Sequence, residues 1–132
     1  MAESLGLEIL TPCAATAGNL KQDLEKLRSD NILMKEINDV LIKTCGMEFT
    51  GNTEVHHLLH VLVDEIGLDK VEKLAVNKFD FRVAPYYSPY FQMEGACGGD
   101  SVNDPEYFEQ LVQSLGGLSL IHISEPTRLV SI

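Results

Sequence analysis

An α/β fold, a small parallel sheet flanked by helices, follows from three features of this sequence. Two short apolar runs, Gly6–Leu10 and Phe79–Ala84, have the length and alternation of strands. Long stretches of helical periodicity separate them, so the strands are expected to be parallel neighbours joined by crossovers. Each run ends in a turn with a special residue, Thr11-Pro12-Cys13 in one case and Pro85-Tyr86-Tyr87-Ser88-Pro89 in the other. Such turns lie at the carboxyl ends of parallel strands, where α/β folds place their sites.

The elements follow in order. Gly6–Leu10 is a short buried strand. Ala17–Arg28 is helical, with Leu20, Leu24 and Leu27 on one face. Ser29-Asp30-Asn31 breaks it, and Asp30 caps the next helix, Ile32–Cys45, whose inward residues are Leu33, Ile37, Val40 and Leu41. Gly46 closes that helix. Phe49–Thr53 is a loop. Val55–Ile66 is expected to be a third helix, with Leu58, Leu59, Leu62, Val63 and Ile66 inward, and Leu68–Ala75 a fourth. In Phe79–Ala84 the residues Phe79, Phe81 and Val83 alternate, and Pro85 ends the ladder. Residues 86–102 read as irregular. Asp104-Pro105 is expected to open the last helix, 104–115, as an N-cap followed by proline.

Composition narrows the function. The net charge of −10 argues against nucleic acid or an anionic membrane surface as partner. It suits a subunit that docks on another protein. No run reaches the roughly 18 apolar residues of a membrane span, and no signal peptide is evident, so a cytoplasmic chain is expected. Three cysteines, Cys13, Cys45 and Cys97, lie far apart without a C-x-x-C pair, which argues against structural disulfides. Residues 118–128, Leu-Ser-Leu-Ile-His-Ile-Ser-Glu-Pro-Thr-Arg, look like one reading frame of a sequencing-library transposase adapter. Residues 118–132 are therefore expected to be a non-native tail, in preference to a strand Leu118–Ile123.

Cys13 is the leading site candidate. A helix macrodipole and free backbone N–H groups stabilise a thiolate at a strand-to-helix junction, and a thiolate ligates iron or attacks a disulfide. Other candidates weigh less. His56 and His60 have an i, i+4 spacing compatible with zinc, but no third ligand is evident beside them or His57. Gly95–Asp100 resembles a phosphate loop by composition alone. Tyr86, Tyr87, Tyr90 and Phe91 either line a pocket or pack beneath a loop, with packing preferred. Asp64, Glu65, Glu106 and Glu109 read as solvated helix faces.

At these residues the chain resembles the B subunit of heterodisulfide reductase, a protein of cysteine-rich CCG domains. Thr11-Pro12-Cys13-Ala14-Ala15 is similar to that family's Thr-Pro-Cys-x-x-Cys turn, with Asn19-Leu20-Lys21 following. Val55-His56-His57-Leu58-Leu59 resembles a Val-x-His-Leu-Leu segment, and Val83-Ala84-Pro85-Tyr86-Tyr87 the strand before a Gly-Cys in the second domain. Residues 99–117 resemble the next helix. The resemblance implies the end of a first CCG-like domain over 1–75 and the start of a second over 76–117.

It further implies a noncubane four-iron cluster in the parent family and reduction of a disulfide such as CoM-S-S-CoB. The partners would be other subunits of a reductase complex, and Cys13 would be the metal and cofactor ligand. Two positions depart from the pattern. Thr16 stands where the second cysteine of the C-x-x-C falls, and Ser88-Pro89 where the Gly-Cys falls. Cys97 lies in the corresponding loop but is displaced. The cofactor expectation for this chain is therefore no bound cluster. The alternative function is a cluster-free scaffold that mediates protein–protein interaction.

Overall fold

The computed structural model describes residues 1–92, 100–101 and 103–120. After a 3₁₀ turn at Glu3–Leu5 come β1 (Ile9–Thr11), α1 (Ala14–Ser29) and α2 (Asn31–Cys45). Then follow β2 (Val55–His57) and α3 (Leu58–His60), which runs on as a π-helix over Val61–Ile66. The chain continues with α4 (Leu68–Leu74), β3 (Arg82–Val83), a 3₁₀ turn at Pro89–Gln92, α5 (Tyr107–Ser114) and β4 (Leu118–Ser119). The α/β class expected from the sequence is the class observed.

The strand partners differ from the expectation. Among the described residues β1 pairs with β2 and β3 with β4, in two separate parallel sheets. Gly6–Leu10 and Phe79–Ala84 are therefore not neighbours. The reason lies in the α1–α2 crossover, which returns the chain to β1 before β3 is reached. Arg28, near the end of α1, donates to Gly51 O at 2.8 Å and to Thr53 O at 2.9 Å, and pairs with the Glu54 carboxylate at 2.8 Å. Segment 51–54 is thereby delivered alongside β1, and Ile9 N–H donates to Glu54 O at 2.8 Å. The ladder then runs Ile9↔Val55, Leu10↔His56, Thr11↔His57.

The third helix is accordingly shorter than its periodicity suggests, because Val55–His57 is strand. Helix α5 begins at Tyr107 rather than at Asp104. Its cap comes from Asp100, whose carboxylate accepts the N–H of Glu106 at 2.9 Å and of Tyr107 at 3.2 Å. The strand expected over Phe79–Ala84 contracts to Arg82–Val83. Of the expected tail, Leu118–Ser119 pairs with Arg82–Val83, and residues 121–132 lie outside the described residues.

Two apolar clusters hold these elements. Ala17, Leu24 and Val55 pack with Ile9, Leu20 and Phe49 between α1 and the first sheet. Leu59 and Phe91 pack with Ala14, Val63, Tyr87, Tyr107, Phe108 and Leu111, joining the first turn of α1 to α3 and α5. No helix among the described residues is long and apolar enough to cross a membrane.

Candidate functional site at the β1–α1 turn

The turn after β1 is built from its own backbone. Cys13 is the N-cap of α1 in extended conformation, and its carbonyl accepts the N–H of Ala17 at 2.9 Å. Its own N–H donates to Thr11 Oγ1 at 3.2 Å. The thiol is exposed. Hydrogen bonding of its ionised form to the Thr16 hydroxyl, then to the N–H groups of Thr16 and Ala15, holds its pKa below the ordinary thiol range. Thr16 is exposed one turn along the helix.

The turn is pinned from beneath by His57, at the end of β2. Its Nδ1 accepts the N–H of Leu59 at 3.2 Å, so the neutral ring carries its proton on Nε2. That nitrogen faces Pro12 O at 3.0 Å and donates to it. Burial, aided by the Lys21 charge, lowers the His57 pKa and keeps the ring neutral, while the bond to Pro12 opposes the shift. Sequence periodicity does not assign His57 this part.

The other two histidines of this stretch go separate ways. On the opposite face of the sheet, His56 lies 3.1 Å from the Glu8 carboxylate and 3.6 Å from that of Glu65. His60 is buried among His57, Phe91 and Tyr107. Burial, then electrostatic interaction with His57 and with the Lys21 charge, lowers its pKa to about 4. The helical i, i+4 spacing of His56 and His60 fails because His56 is on a strand. Among the described residues, no three His, Cys, Asp or Glu side chains stand together as a metal site.

The second loop marked by the sequence does approach the first. Pro89–Gln92 lies against α1, where Tyr90 covers Gly18, and Phe91 packs edge-on against His57 with centroids 4.7 Å apart. Of the four aromatic candidates, Tyr87 and Phe91 pack into the core while Tyr86 stays 82% exposed. Among the described residues, Ser88 Oγ has no hydrogen-bond partner. Cys45 is at the last turn of α2, where its Sγ donates to Leu41 O at 3.1 Å. Cys97 and residues 95–99 of the glycine-rich loop lie outside the described residues, and Asp100 serves as the α5 cap.

Of the four carboxylates expected to be solvated, Asp64, Glu65 and Glu106 are exposed and Glu109 is not. Glu109 is 3% exposed, and one of its oxygens accepts the Tyr87 hydroxyl at 2.5 Å. Tyr87 in turn accepts the N–H of Phe108 at 2.9 Å. Asp64, on the π-helix, accepts the Tyr107 hydroxyl at 2.5 Å, and that bond, with burial, pushes the Tyr107 pKa up to about 12. These bonds clasp α5 to the π-helix and to the loop after β3. A signal for Glu109 is its i, i+3 relation to Val112, which places it on the apolar side of α5.

No protein-family model matches the chain. Curated relatives do. The chain is 29% identical over 123 residues to the B subunit of the ferredoxin/F(420)H(2)-dependent CoB-CoM heterodisulfide reductase of Methanosarcina acetivorans, covering 91% of this chain and 40% of that protein. It is 28% identical over 122 residues to the B subunit of the ferredoxin:CoB-CoM heterodisulfide reductase of Methanosarcina mazei, with the same coverage. It is 23% identical over 120 residues to a protein of Archaeoglobus profundus described as like the B subunit of heterodisulfide reductase, covering 88% of this chain. The chain thus spans 40% of the length of the curated relatives it matches. It is a distant, partial-length homologue of the B subunits of heterodisulfide reductases.

Proposed function

We propose that this chain is a segment of an electron-transfer subunit of the heterodisulfide-reductase type, an iron–sulfur protein in its complete form. That subunit works inside a multisubunit reductase complex and delivers electrons to a disulfide. The observation that carries the reading is the agreement with heterodisulfide reductase B subunits along 91% of the chain. Cys13 supports it, because its turn presents an exposed thiol of lowered pKa at the carboxyl end of a parallel strand. On this reading residues 1–75 close one CCG-like domain and residues 76–117 open the next. The test uses the complete subunit, expressed with its neighbouring subunits. It should copurify in a reductase complex and support dye-linked reduction of CoM-S-S-CoB. A subunit that enters no complex and supports no disulfide reduction overturns the reading.

A second reading keeps the scaffold and drops the electron transfer. Thr16 and Ser88-Pro89, at the positions where the resemblance expects thiolates, favour it. So does exposed apolar surface available for subunit contact, notably Leu10 at 55%, Phe81 at 65% and Val76 at 94%. Under this reading the complex assembles but the subunit does not turn over.

A further inference from the structure

We infer that the β1–α1 turn of this chain does not hold a four-iron cluster and keeps Cys13 as an iron-free thiol. The inference rests on the proposed function, since a cluster is what that family implies. The side chains of the turn do not supply the donors. Iron–sulfur clusters are held by cysteine thiolates, commonly four. Cys45 stands at the end of α2 with its sulfur on the Leu41 carbonyl. Cys97 lies outside the described residues.

The substitutes available near the turn are unsuited or committed. Thr16 carries a neutral, hard hydroxyl where a soft thiolate is required. That hydroxyl serves Cys13 instead, by hydrogen bonding to its ionised sulfur. At the second loop, Pro89 has no donor atom in its side chain. Both ring nitrogens of His57 are taken, one by Leu59 N–H and the other by Pro12 O. His60 is buried against Phe91 and Tyr107. His56 is turned to the outer face of the sheet, between Glu8 and Glu65. The turn is therefore complete in itself as a hydrogen-bonded strand-to-helix junction.

The test is iron-dependent protection of Cys13 in this chain. The protein is incubated anaerobically with ferrous iron and sulfide, desalted, and assayed for iron and visible absorption. The rate of Cys13 alkylation by iodoacetamide is then followed by peptide mass spectrometry, with and without the iron treatment. We expect no stoichiometric iron, no visible chromophore and the same alkylation rate in both samples. Iron that stays bound while Cys13 alkylates freely is bound elsewhere and leaves the inference standing. Stoichiometric iron that protects Cys13 and is lost in Cys13→Ser overturns it. That result would leave the family reading intact. A failure of the family reading would appear instead as a complete subunit that joins no reductase complex.

Discussion

Single residues explain why the candidate site is stiff below and open above. His57 and the Thr11 hydroxyl fix the backbone of the turn, while the Cys13 sulfur projects into solvent at the head of α1. The low thiol pKa depends first on the Thr16 hydroxyl. Thr16→Ala should therefore move the pH profile of Cys13 alkylation upward while leaving the helix content unchanged. An unmoved profile would assign the shift to the backbone N–H groups alone. The Tyr87–Glu109 pair makes a stability claim at the same scale. Tyr87→Phe strips a nearly fully buried carboxylate of its hydroxyl donor and frees the N–H of Phe108. An unsatisfied buried polar group costs about 1–3 kcal/mol, and a charged one more. Urea unfolding of Tyr87→Phe should show a loss of about 2–3 kcal/mol, and a loss under about 0.5 kcal/mol would mean that water replaces the hydroxyl. The Tyr87–Glu109 partnership was not legible in the sequence, because it joins residues 22 positions apart.

Elements were legible where local chemistry alone decides them. The Leu20-Leu24-Leu27 spacing marks α1. Asp30 does cap α2, accepting the N–H groups of Ile32 and Leu33, both at 3.0 Å. Gly46 does end it, at a φ of 67°. Strand β2 was not legible, since Val55–Ile66 satisfies the helical period throughout and only the ladder to β1 makes its first three residues a strand. The same logic separates the two sheets, because pairing depends on what the crossover delivers first.

Two tests belong to this scale. Gly18 lies inside α1, and an added Cβ would meet Tyr90 at an ordinary 3.5 Å. Gly18→Ala should therefore stabilise the protein by about 0.5–1 kcal/mol, the helix-interior penalty of glycine. Thermal unfolding at a lower midpoint would show that the Tyr90 contact is already closed. Strand β4 is held by its backbone: Leu118 N–H donates to Phe81 O at 3.0 Å and Leu120 N–H to Val83 O at 2.9 Å. The side chain of Leu118 is 64% exposed. Leu118→Ser should change stability by under about 0.5 kcal/mol, whereas Leu118→Pro removes a ladder donor and should cost about 1 kcal/mol or more. Equal effects of the two would mean that the side chain, and not the ladder, holds the strand.

At the scale of the molecule, the two apolar clusters meet along α1, and His57 and His60 stand at that junction. Ala17 and Leu24 belong to the first cluster, and Ala14 packs on the second. The outer face of the first sheet carries the exposed Leu10, although parallel sheets are ordinarily covered on both faces. The buried histidines couple this arrangement to pH. Both have folded-state pKa values below the ordinary 6.5, and that of His60 falls to about 4. An unfolded chain protonates these rings near pH 6.5, while the folded protein resists protonation. Between those limits the unfolded state binds more protons, so stability rises with pH. The contribution is complete above about pH 6.5 and is lost as pH falls toward 4. At about 1.4 kcal/mol per pKa unit, His60 alone supplies up to roughly 3 kcal/mol of that slope. The nearby carboxylates of Asp64 and Asp100 oppose the shift but do not cancel it. Urea midpoints measured from about pH 7.5 down to about 4.5 should fall steadily in the native protein. In His60→Phe, which keeps an aromatic ring against Phe91 and Tyr107, the decline should be much shallower. An equally steep decline in that variant would place the proton uptake on other groups and remove His60 from the account.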